Sequence, residues 1–318
     1  MARLSLSSLS RPCRARGDSL LLFGPEWLAI GGVTLLDLLL APPLHFHLLF
    51  TWRNGTAVCA LLGLALLLRL AGRHRGRLVL EYVALSLTAV MALCVLTYLS
   101  LAASGPLADD RLLAFDRMLG FDWLAGFRLF EAHPQVAAVL KLVYQSLPFQ
   151  YFYCALLFGL MGNGTRLRQL FWMILIAGLI TCAGVWLLPA YGPFKMFGLE
   201  SRGHFLPDME HLRTGRDLTF ALAELTGVIC FPSFHTTMAI AYAWAFRGTG
   251  PIGLSAMGLN LVMLLAIPFV GGHYLVDMIA GVALACIAAV TWAPRLWRSR
   301  AMLATPQSLP QTTGTALL

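Results

Sequence analysis

Long apolar runs recur along this chain, and they constrain its fold more than any other feature. Several approach the roughly 20 residues that an α-helix needs to cross a bilayer. Charged residues make up only 12% of the sequence, whereas an ordinary soluble domain carries about a quarter. The runs and the low charge together predict an all-α, polytopic membrane protein of about eight transmembrane helices.

The apolar runs set the expected bounds of the spans, which lie near residues 22–42, 56–71, 80–103, 135–161, 169–189, 232–247, 252–270 and 273–293. The mixed stretch 104–134 is expected to lie along the outer membrane interface as an amphipathic segment. In chain order we predict a basic cytoplasmic tail, three accessory helices, this interfacial segment, a catalytic bundle of the last five or so helices, and a disordered cytoplasmic tail. They cover residues 1–21, 22–103, 104–134, 135–294 and 295–318.

Arginine placement predicts the orientation in the membrane. With the N-terminus in the cytoplasm, each predicted inner connection contains arginine, as the positive-inside rule requires; these are 72–79, 162–168, 247–251 and the C-terminal tail. Positive charge confined to short loops is typical of an orientation determinant and not of a nucleic-acid-binding surface. The long connection 190–230 then lies outside. That side would be the periplasmic face of a bacterial inner membrane, or the lumen of the Golgi in a eukaryote.

Two histidines stand just inside the outer ends of two spans. If the crossings alternate, His235 and His273 start at the same face and their imidazoles could meet there. Asp277 follows His273 by four residues, so the two side chains share one face of a helix. A carboxylate can fix the tautomer of one histidine and make it more nucleophilic, while a second histidine protonates a leaving alkoxide. The spacing therefore indicates phosphoryl transfer through a phosphohistidine.

Each of these histidines follows a turn or helix-start sequence. Pro232-Ser233 precedes one, and Gly271-Gly272 precedes the other. Helix N-termini and glycine-rich turns offer backbone N–H groups to an anion, most naturally a phosphate. We therefore expect Ser233 and Gly272 to lie where phosphate is bound, with Ser233 acting first as a helix cap.

The same segments resemble a known family. Phe-Pro-Ser-Phe-His-Thr at 231–236 and Gly-His-Tyr-Leu-Val-Asp-Met-Ile-Ala-Gly at 272–281 are similar to the second and third signatures of the type 2 phosphatidic acid phosphatase superfamily. The resemblance covers roughly residues 135–293. It implies His273 as nucleophile, Asp277 as its orienting acid, His235 as general acid, and a reaction without a metal or other cofactor.

Departures from the family pattern favour one branch. The phosphatase branch has an arginine six residues before the third-signature histidine, where this chain has Ile267, and Gly203 replaces the proline of the first signature. The inositol phosphorylceramide synthase branch has an apolar residue at that position, and its bacterial members have a loop that the turn at 188–194 resembles. That similarity implies transfer of a phosphoinositol headgroup from a phospholipid donor to a ceramide-like or other lipid alcohol. The alternative is a lipid or polyprenyl phosphatase on the same scaffold, with water as acceptor.

A bound phosphate also needs positive charge, and the connection 190–230 supplies it. The candidate ligands are Lys195, Arg202 and Arg213. Arg202 is the first choice, because with Lys195 it reproduces the spacing of the family's first signature. Each of the three could equally be a solvated loop charge.

Other kinds of protein remain as alternatives at this point. A transporter could use the His/Asp pair as a proton relay, but it would be expected to show internal repeats and broken mid-membrane helices, and the sequence shows no repeat. The pair could also serve packing alone, although ionisable residues inside spans are costly and usually functional. A catalytically inactive homologue would not need to retain all three site residues.

Overall fold

A computed structural model describes residues 22–49, 52–215 and 218–303. The predicted N-terminal tail, 1–21, lies outside the described residues, as does 304–318 of the predicted C-terminal tail. Within the described ranges the chain forms thirteen α-helices and two short strands. Their bounds are α1 Gly24–Leu40, α2 Trp52–Leu70, α3 His74–Ala102, α4 Asp109–Met118, α5 Trp123–Ala132, α6 Pro134–Gln145, α7 Leu147–Leu160, α8 Gly164–Leu187, α9 Pro193–Met196, α10 Leu206–Thr214, α11 Phe234–Ala245, α12 Pro251–Val270 and α13 Leu275–Leu303, with β1 Phe46–Leu49 and β2 Leu218–Ala221.

In the part of the chain that the structure describes, four segments are long and apolar enough to cross a membrane, judged by length and composition. They are Gly24–Leu44, His74–Ala102, Gly164–Leu187 and Pro251–Val270. Shorter apolar helices cover Gly55–Leu70, Leu147–Leu160 and Leu275–Val290. A helix satisfies its own backbone polar groups in lipid, which is why apolar runs of this length fold as helices. The predicted all-α, polytopic membrane fold is confirmed.

Two predicted spans differ from the helices that form. The predicted span 135–161 is divided into α6 and α7, which meet at Ser146. Pro148 stands in the first turn of α7, where its missing N–H costs nothing, whereas inside one continuous helix it would remove a hydrogen bond. The predicted span 232–247 is only the twelve-residue α11. At the other end of the chain, α13 continues to Leu303, so helix extends into the region predicted as a disordered tail.

A two-stranded parallel sheet is the part of the fold that the sequence did not predict. β1 pairs with β2, with Phe46 opposite Leu218 and Leu49 opposite Ala221. The Phe46 ring stacks on Phe220, with ring centroids 5.6 Å apart. The sheet joins the segment after α1 to the outer connection 190–230.

The main core lies where α3, α7, α8 and α11 pack together. Tyr82 and Leu85 of α3, Phe158 of α7, Leu170 of α8 and Tyr242 of α11 are all fully buried in one apolar cluster. α11 also packs against α12 and α13. The beginnings of α11 and α13, which carry the predicted site, are therefore held on a rigid bundle.

A second core forms around α5, at the end of the bundle that is predicted to face outward. The Trp123 ring stacks on Phe127 and Phe197, and its Nε1 donates a hydrogen bond to the Pro268 carbonyl oxygen of α12 at 3.0 Å. Pro268 supplies this acceptor near the end of α12, just before the turn that leads to His273. The stretch 104–134 is thus packed onto the outer connections, and its position at the membrane interface remains a prediction.

Candidate active site

The two predicted histidines lie side by side. The ring centroids of His235 and His273 are 6.0 Å apart, with the ring planes tilted by 58°. The first turn of α11 carries His235, and His273 lies in the turn between α12 and α13. A phosphorus atom between the rings could be approached by both. The structure thus has the pairing that alternating crossings predict.

A cap fixes the start of α11. Ser233 Oγ accepts a hydrogen bond from the Thr236 backbone N–H at 3.3 Å, and Ser233 itself is fully buried. The Ser233 N–H donates to the Asp277 carbonyl oxygen at 3.0 Å, so the starts of α11 and α13 are joined through their backbones. The predicted cap is present, whereas a contact between Ser233 and substrate remains a prediction.

The tautomer of His273 follows from its neighbours. His273 Nδ1 lies 3.0 Å from the Cys230 carbonyl oxygen and 3.5 Å from Asp277 Oδ2. A carbonyl oxygen can only accept, so Nδ1 carries the proton and the lone pair is on Nε2. Asp277 is adjacent to Nδ1 and would stabilise positive charge on the ring. The direct hydrogen-bond acceptor is therefore a backbone carbonyl, with the predicted orienting carboxylate beside it.

Asp277 is tied into the turn by its other contacts. Its Oδ2 accepts from the Tyr274 N–H at 2.8 Å and from the Cys230 thiol at 3.2 Å, while Oδ1 is buried without a hydrogen-bond partner among the described residues. Burial raises the pKa of the Cys230 thiol well above its usual range, so the thiol stays protonated and donates. The carboxylate thus positions both the turn and the segment before α11.

Cys230, His273 and Asp277 are also close enough to hold a metal ion, with their ligand atoms within 4.8 Å of one another. A metal ligand must be deprotonated. Here the thiol donates to Asp277 and Nδ1 donates to the Cys230 carbonyl oxygen. These hydrogen bonds already link Cys230, before α11, to His273 and Asp277 at the start of α13. The expectation of a metal-free reaction remains a prediction from the resemblance.

Free backbone N–H groups distinguish the two helix starts. Within the described residues, the amides of Phe234 and His235 at the start of α11 make no hydrogen bond. At the start of α13, in contrast, Leu275 N and Val276 N both donate to the Asp116 carboxylate at 2.9 Å. An anion between the histidines would therefore find free donors on α11.

A tyrosine that the sequence did not predict packs beside the two histidine rings. Tyr144, near the end of α6, stacks on His235 with ring centroids 4.7 Å apart and planes 18° apart. No motif surrounds Tyr144, and its nearest signal in the sequence is the aromatic run at 149–153. The stacking restricts the orientation of the His235 ring.

Gly272 adopts a conformation that favours glycine. Its φ is +68°, and a Cβ there would lie 2.5 Å from a carbon of the Phe194 ring. Phe194 belongs to α9, which begins at Pro193 within the turn at 188–194. Gly272 therefore allows the outer connection to pack directly onto the turn that carries His273, and a contact between its amide and phosphate remains a prediction.

The three predicted cations are all engaged with other groups. Lys195 Nζ donates to Glu210 Oε1 at 2.7 Å, and this contact raises the pKa of Lys195. The Arg202 guanidinium pairs with Glu131 of α5. Arg213 donates to Ser104 Oγ at 2.9 Å and to the Gly105 carbonyl oxygen at 3.0 Å.

None of these partners is His235 or His273. Lys195, Arg202 and Arg213 are at least partly exposed on the outer connection, where ion pairs are weak and easily exchanged. A role in phosphate binding for any of the three remains a proposal.

An apolar cavity of about 320 Å³ begins at His235. It is enclosed by α3, α6, α7, α8 and α11. His235, Met238 and Tyr242 line it from successive turns of α11, so it extends about 10 Å along that helix. A second cavity of about 180 Å³ adjoins it and shares Phe234 and Met238.

A close approach between helices supports the site, and it gives a testable prediction. A Cβ on Gly281 of α13 would lie 2.5 Å from the Ser233 carbonyl oxygen and 2.9 Å from Thr236 Cβ. Gly281→Ala must push α11 away from α13, so we expect a loss of roughly 1–3 kcal/mol in the free energy of unfolding. Thermal unfolding in detergent measures it.

The matched control for this substitution is Gly258→Ala. Gly258 lies within α12, and a Cβ there would have no atom within 4 Å. Alanine favours helix over glycine, so the control should be unchanged or slightly more stable. Equal midpoints for the two variants would contradict the close approach.

One of the comparisons with known proteins found a match. A family model described as the PAP2 superfamily matches residues 110–291, more than half of the chain. The match includes His235, His273 and Asp277. No curated protein matches, and no solved structure matches.

Proposed function

The chain belongs to the PAP2 superfamily, whose members are phosphatases or phosphotransferases acting on phosphate esters, and we propose that it transfers a phosphoinositol-type headgroup from a phospholipid to a ceramide-like or other lipid alcohol. The observation that carries this proposal is the pair of neighbouring histidines, one of which, His235, lines an apolar cavity. The reaction takes place on the outer face of the membrane, and in a bacterium that is the periplasmic face of the inner membrane.

In the first half of the reaction, His273 Nε2 attacks the phosphorus of the donor lipid. The N–P bond forms while the bond from phosphorus to the diacylglycerol oxygen breaks, and His235 gives its proton to that oxygen. Positive charge develops on the His273 ring, where Asp277 Oδ2 lies 3.5 Å from Nδ1. The free amides of Phe234 and His235 are the proposed donors to the phosphoryl oxygens.

In the second half, His235 accepts the proton of the acceptor hydroxyl. The acceptor oxygen attacks phosphorus, the N–P bond breaks, and His273 returns to its starting tautomer. The burial of His273, which is 2% exposed, supports transfer to a lipid over hydrolysis, because bulk water has little access to the ring.

The cavities support lipid substrates on both sides of the reaction. Val90 of α3 and Phe152 of α7 line the larger cavity and are 54% and 45% exposed, so hydrocarbon could enter from the membrane between these helices. A transferase with two lipid substrates needs space for a second lipid, and the second cavity beside Phe234 would supply part of it. This observation favours a lipid alcohol over water as acceptor.

The test uses purified protein in mixed micelles with fluorescent ceramide and, in parallel, phosphatidylinositol or phosphatidic acid. We expect a new phosphorylated ceramide that contains inositol, formed with release of diacylglycerol and absent with His273→Ala. Release of free phosphate from phosphatidic acid, with ceramide unchanged, would replace the proposal by the phosphatase alternative. Absence of any His273-dependent product from either donor would overturn it.

A further inference from the structure

Two buried carboxylates on α4 have no place in the reaction described so far. Asp109 is 4% exposed and Asp116 is fully buried. They are seven residues apart, so both lie on the same face of α4, about 10 Å from each other along the helix. Burying a carboxylate is costly unless it is hydrogen-bonded, so each of them requires an explanation.

Asp116 holds the first turn of the helix that follows His273. Its Oδ2 accepts from Leu275 N and its Oδ1 from Val276 N, both at 2.9 Å. These are two of the N–H groups that a helix leaves without internal partners at its start, and a carboxylate there is also favoured by the helix dipole. The cap of α13 therefore comes from a different helix, about 160 residues earlier in the chain.

Asp109 holds the side of the same turn. Its Oδ1 accepts from the Tyr274 hydroxyl at 3.0 Å and from Gly192 N at 2.8 Å, while its Oδ2 accepts from Tyr191 N at 3.0 Å. One carboxylate thus joins the residue after His273 to the turn at 188–194. That turn in turn contacts Gly272 through Gly192 and Phe194.

From these contacts we propose that Asp109 and Asp116 are positioning residues that hold His273 Nε2 in line with the phosphorus atom. They fix Tyr274, Leu275 and Val276, which directly follow His273, and they do so without touching substrate. The inference rests on the proposed function, because it concerns the nucleophile of that reaction. It assigns a role to the stretch 104–134 that a purely interfacial segment would not have.

Asp116 has a second consequence for the site. By occupying Leu275 N and Val276 N, it removes the start of α13 as an anion-binding site, and the free amides of α11 remain. The phosphate is thereby directed toward His235 while His273 approaches it from the other side. Both effects depend on a carboxylate with two accepting oxygens.

The test compares Asp116→Asn with Asp110→Asn. Asparagine has one accepting oxygen and an NH₂ group, which would face a backbone N–H. We expect the rate of phosphoenzyme formation at saturating lipid to fall up to about 100-fold with little change in KM. Asp110 is exposed on the same helix, so its variant should keep the wild-type rate. Rates are measured per folded protein, below the unfolding midpoint of each variant.

A double-mutant cycle separates positioning from general destabilisation. Tyr274→Phe removes the hydroxyl that donates to Asp109 and leaves the ring in place. If the two groups act through one contact, the Asp109→Asn/Tyr274→Phe variant should lose clearly less rate than the product of the two single losses. Wild-type rates in both Asp116→Asn and Tyr274→Phe would overturn the inference, while His273→Ala in the same assay tests the proposed function separately.

Hydrogen exchange provides a readout that does not depend on the reaction. The amides of Leu275 and Val276 should exchange faster in Asp116→Asn than in Asp110→Asn, because one of their acceptors is lost. Unchanged exchange at these two amides would overturn the inference whatever the activity of the variant.

Discussion

Replacement of His273 by alanine is expected to abolish turnover, with kcat lower by at least about 10⁴-fold. The proton on His273 Nδ1 is held by the Cys230 carbonyl oxygen, so the lone pair of Nε2 is available for the proposed attack on phosphorus. His235 is not expected to replace it, because its proposed role is that of the acid and its ring stacks on Tyr144. Product formation from phospholipid and ceramide in micelles measures the loss.

The control for this substitution is His204→Ala. His204 is an exposed histidine of the outer connection, and its variant should keep wild-type activity. With donor lipid labelled at phosphorus, the wild type should form a labelled protein within one turnover and His273→Ala should form none. Label retained in His273→Ala would show that another residue is the nucleophile.

Replacement of His235 by alanine is expected to lower kcat by about 10²- to 10⁴-fold for a natural alkoxide leaving group. The reason is that the oxygen leaving phosphorus must otherwise depart without a proton. A phenol leaving group is stable as an anion and needs little acid catalysis, so with an aryl phosphodiester the first step should lose much less. The ratio of the two losses, measured from the burst of phenol, tests the role of His235.

Tyr144→Phe provides the matched control for that experiment. It keeps the ring that stacks on His235 and removes only a hydroxyl, so the dependence on the leaving group should stay as in the wild type. Equal losses with alkoxide and phenol in His235→Ala would show that His235 binds or orients the substrate and does not protonate it.

The proximity of the two histidines could be predicted from the sequence because it follows from the order and direction of the membrane spans. The apolar runs give the crossings, arginine placement gives their direction, and the two together place His235 and His273 on the same face. The structure has the two rings 6.0 Å apart. Their catalytic roles remain predictions, although the family match covers both residues.

The positions of Asp109 and Asp116 could not be predicted in the same way. Their acceptor oxygens are bound by backbone N–H groups of residues 191, 192, 275 and 276. Almost every residue has a backbone N–H group, so the sequence does not show which of them a carboxylate will bind. In the sequence the two acids look like exposed neighbours such as Asp110, and only burial distinguishes them.

Spacing alone also did not predict the partners of the cations, whose role in phosphate binding remains a proposal. Lys195 and Arg202 echo a family signature, yet each pairs with a glutamate of the outer side, Glu210 and Glu131. The two strands were missed for a related reason, since four-residue strands separated by most of the chain give no local pattern. The ion pairs and the strand pairing both depend on residues that are distant in the chain, and the periodicity of a local segment does not predict such partners.

α3 forms one wall of the larger cavity, so the cavity is not built from the family-matched region alone. The family match begins at residue 110, yet Tyr82, Ser86 and Val90 line the space that leads to His235. Grafting residues 110–291 onto the amino-terminal helices of another family member would therefore exchange one side of the cavity that is proposed to bind hydrocarbon chains. We expect the preference of such a chimaera for hydrocarbon length to follow partly the protein that supplied α3. Selectivity for the lipid would then depend on both parts of the chain and not on residues 110–291 alone.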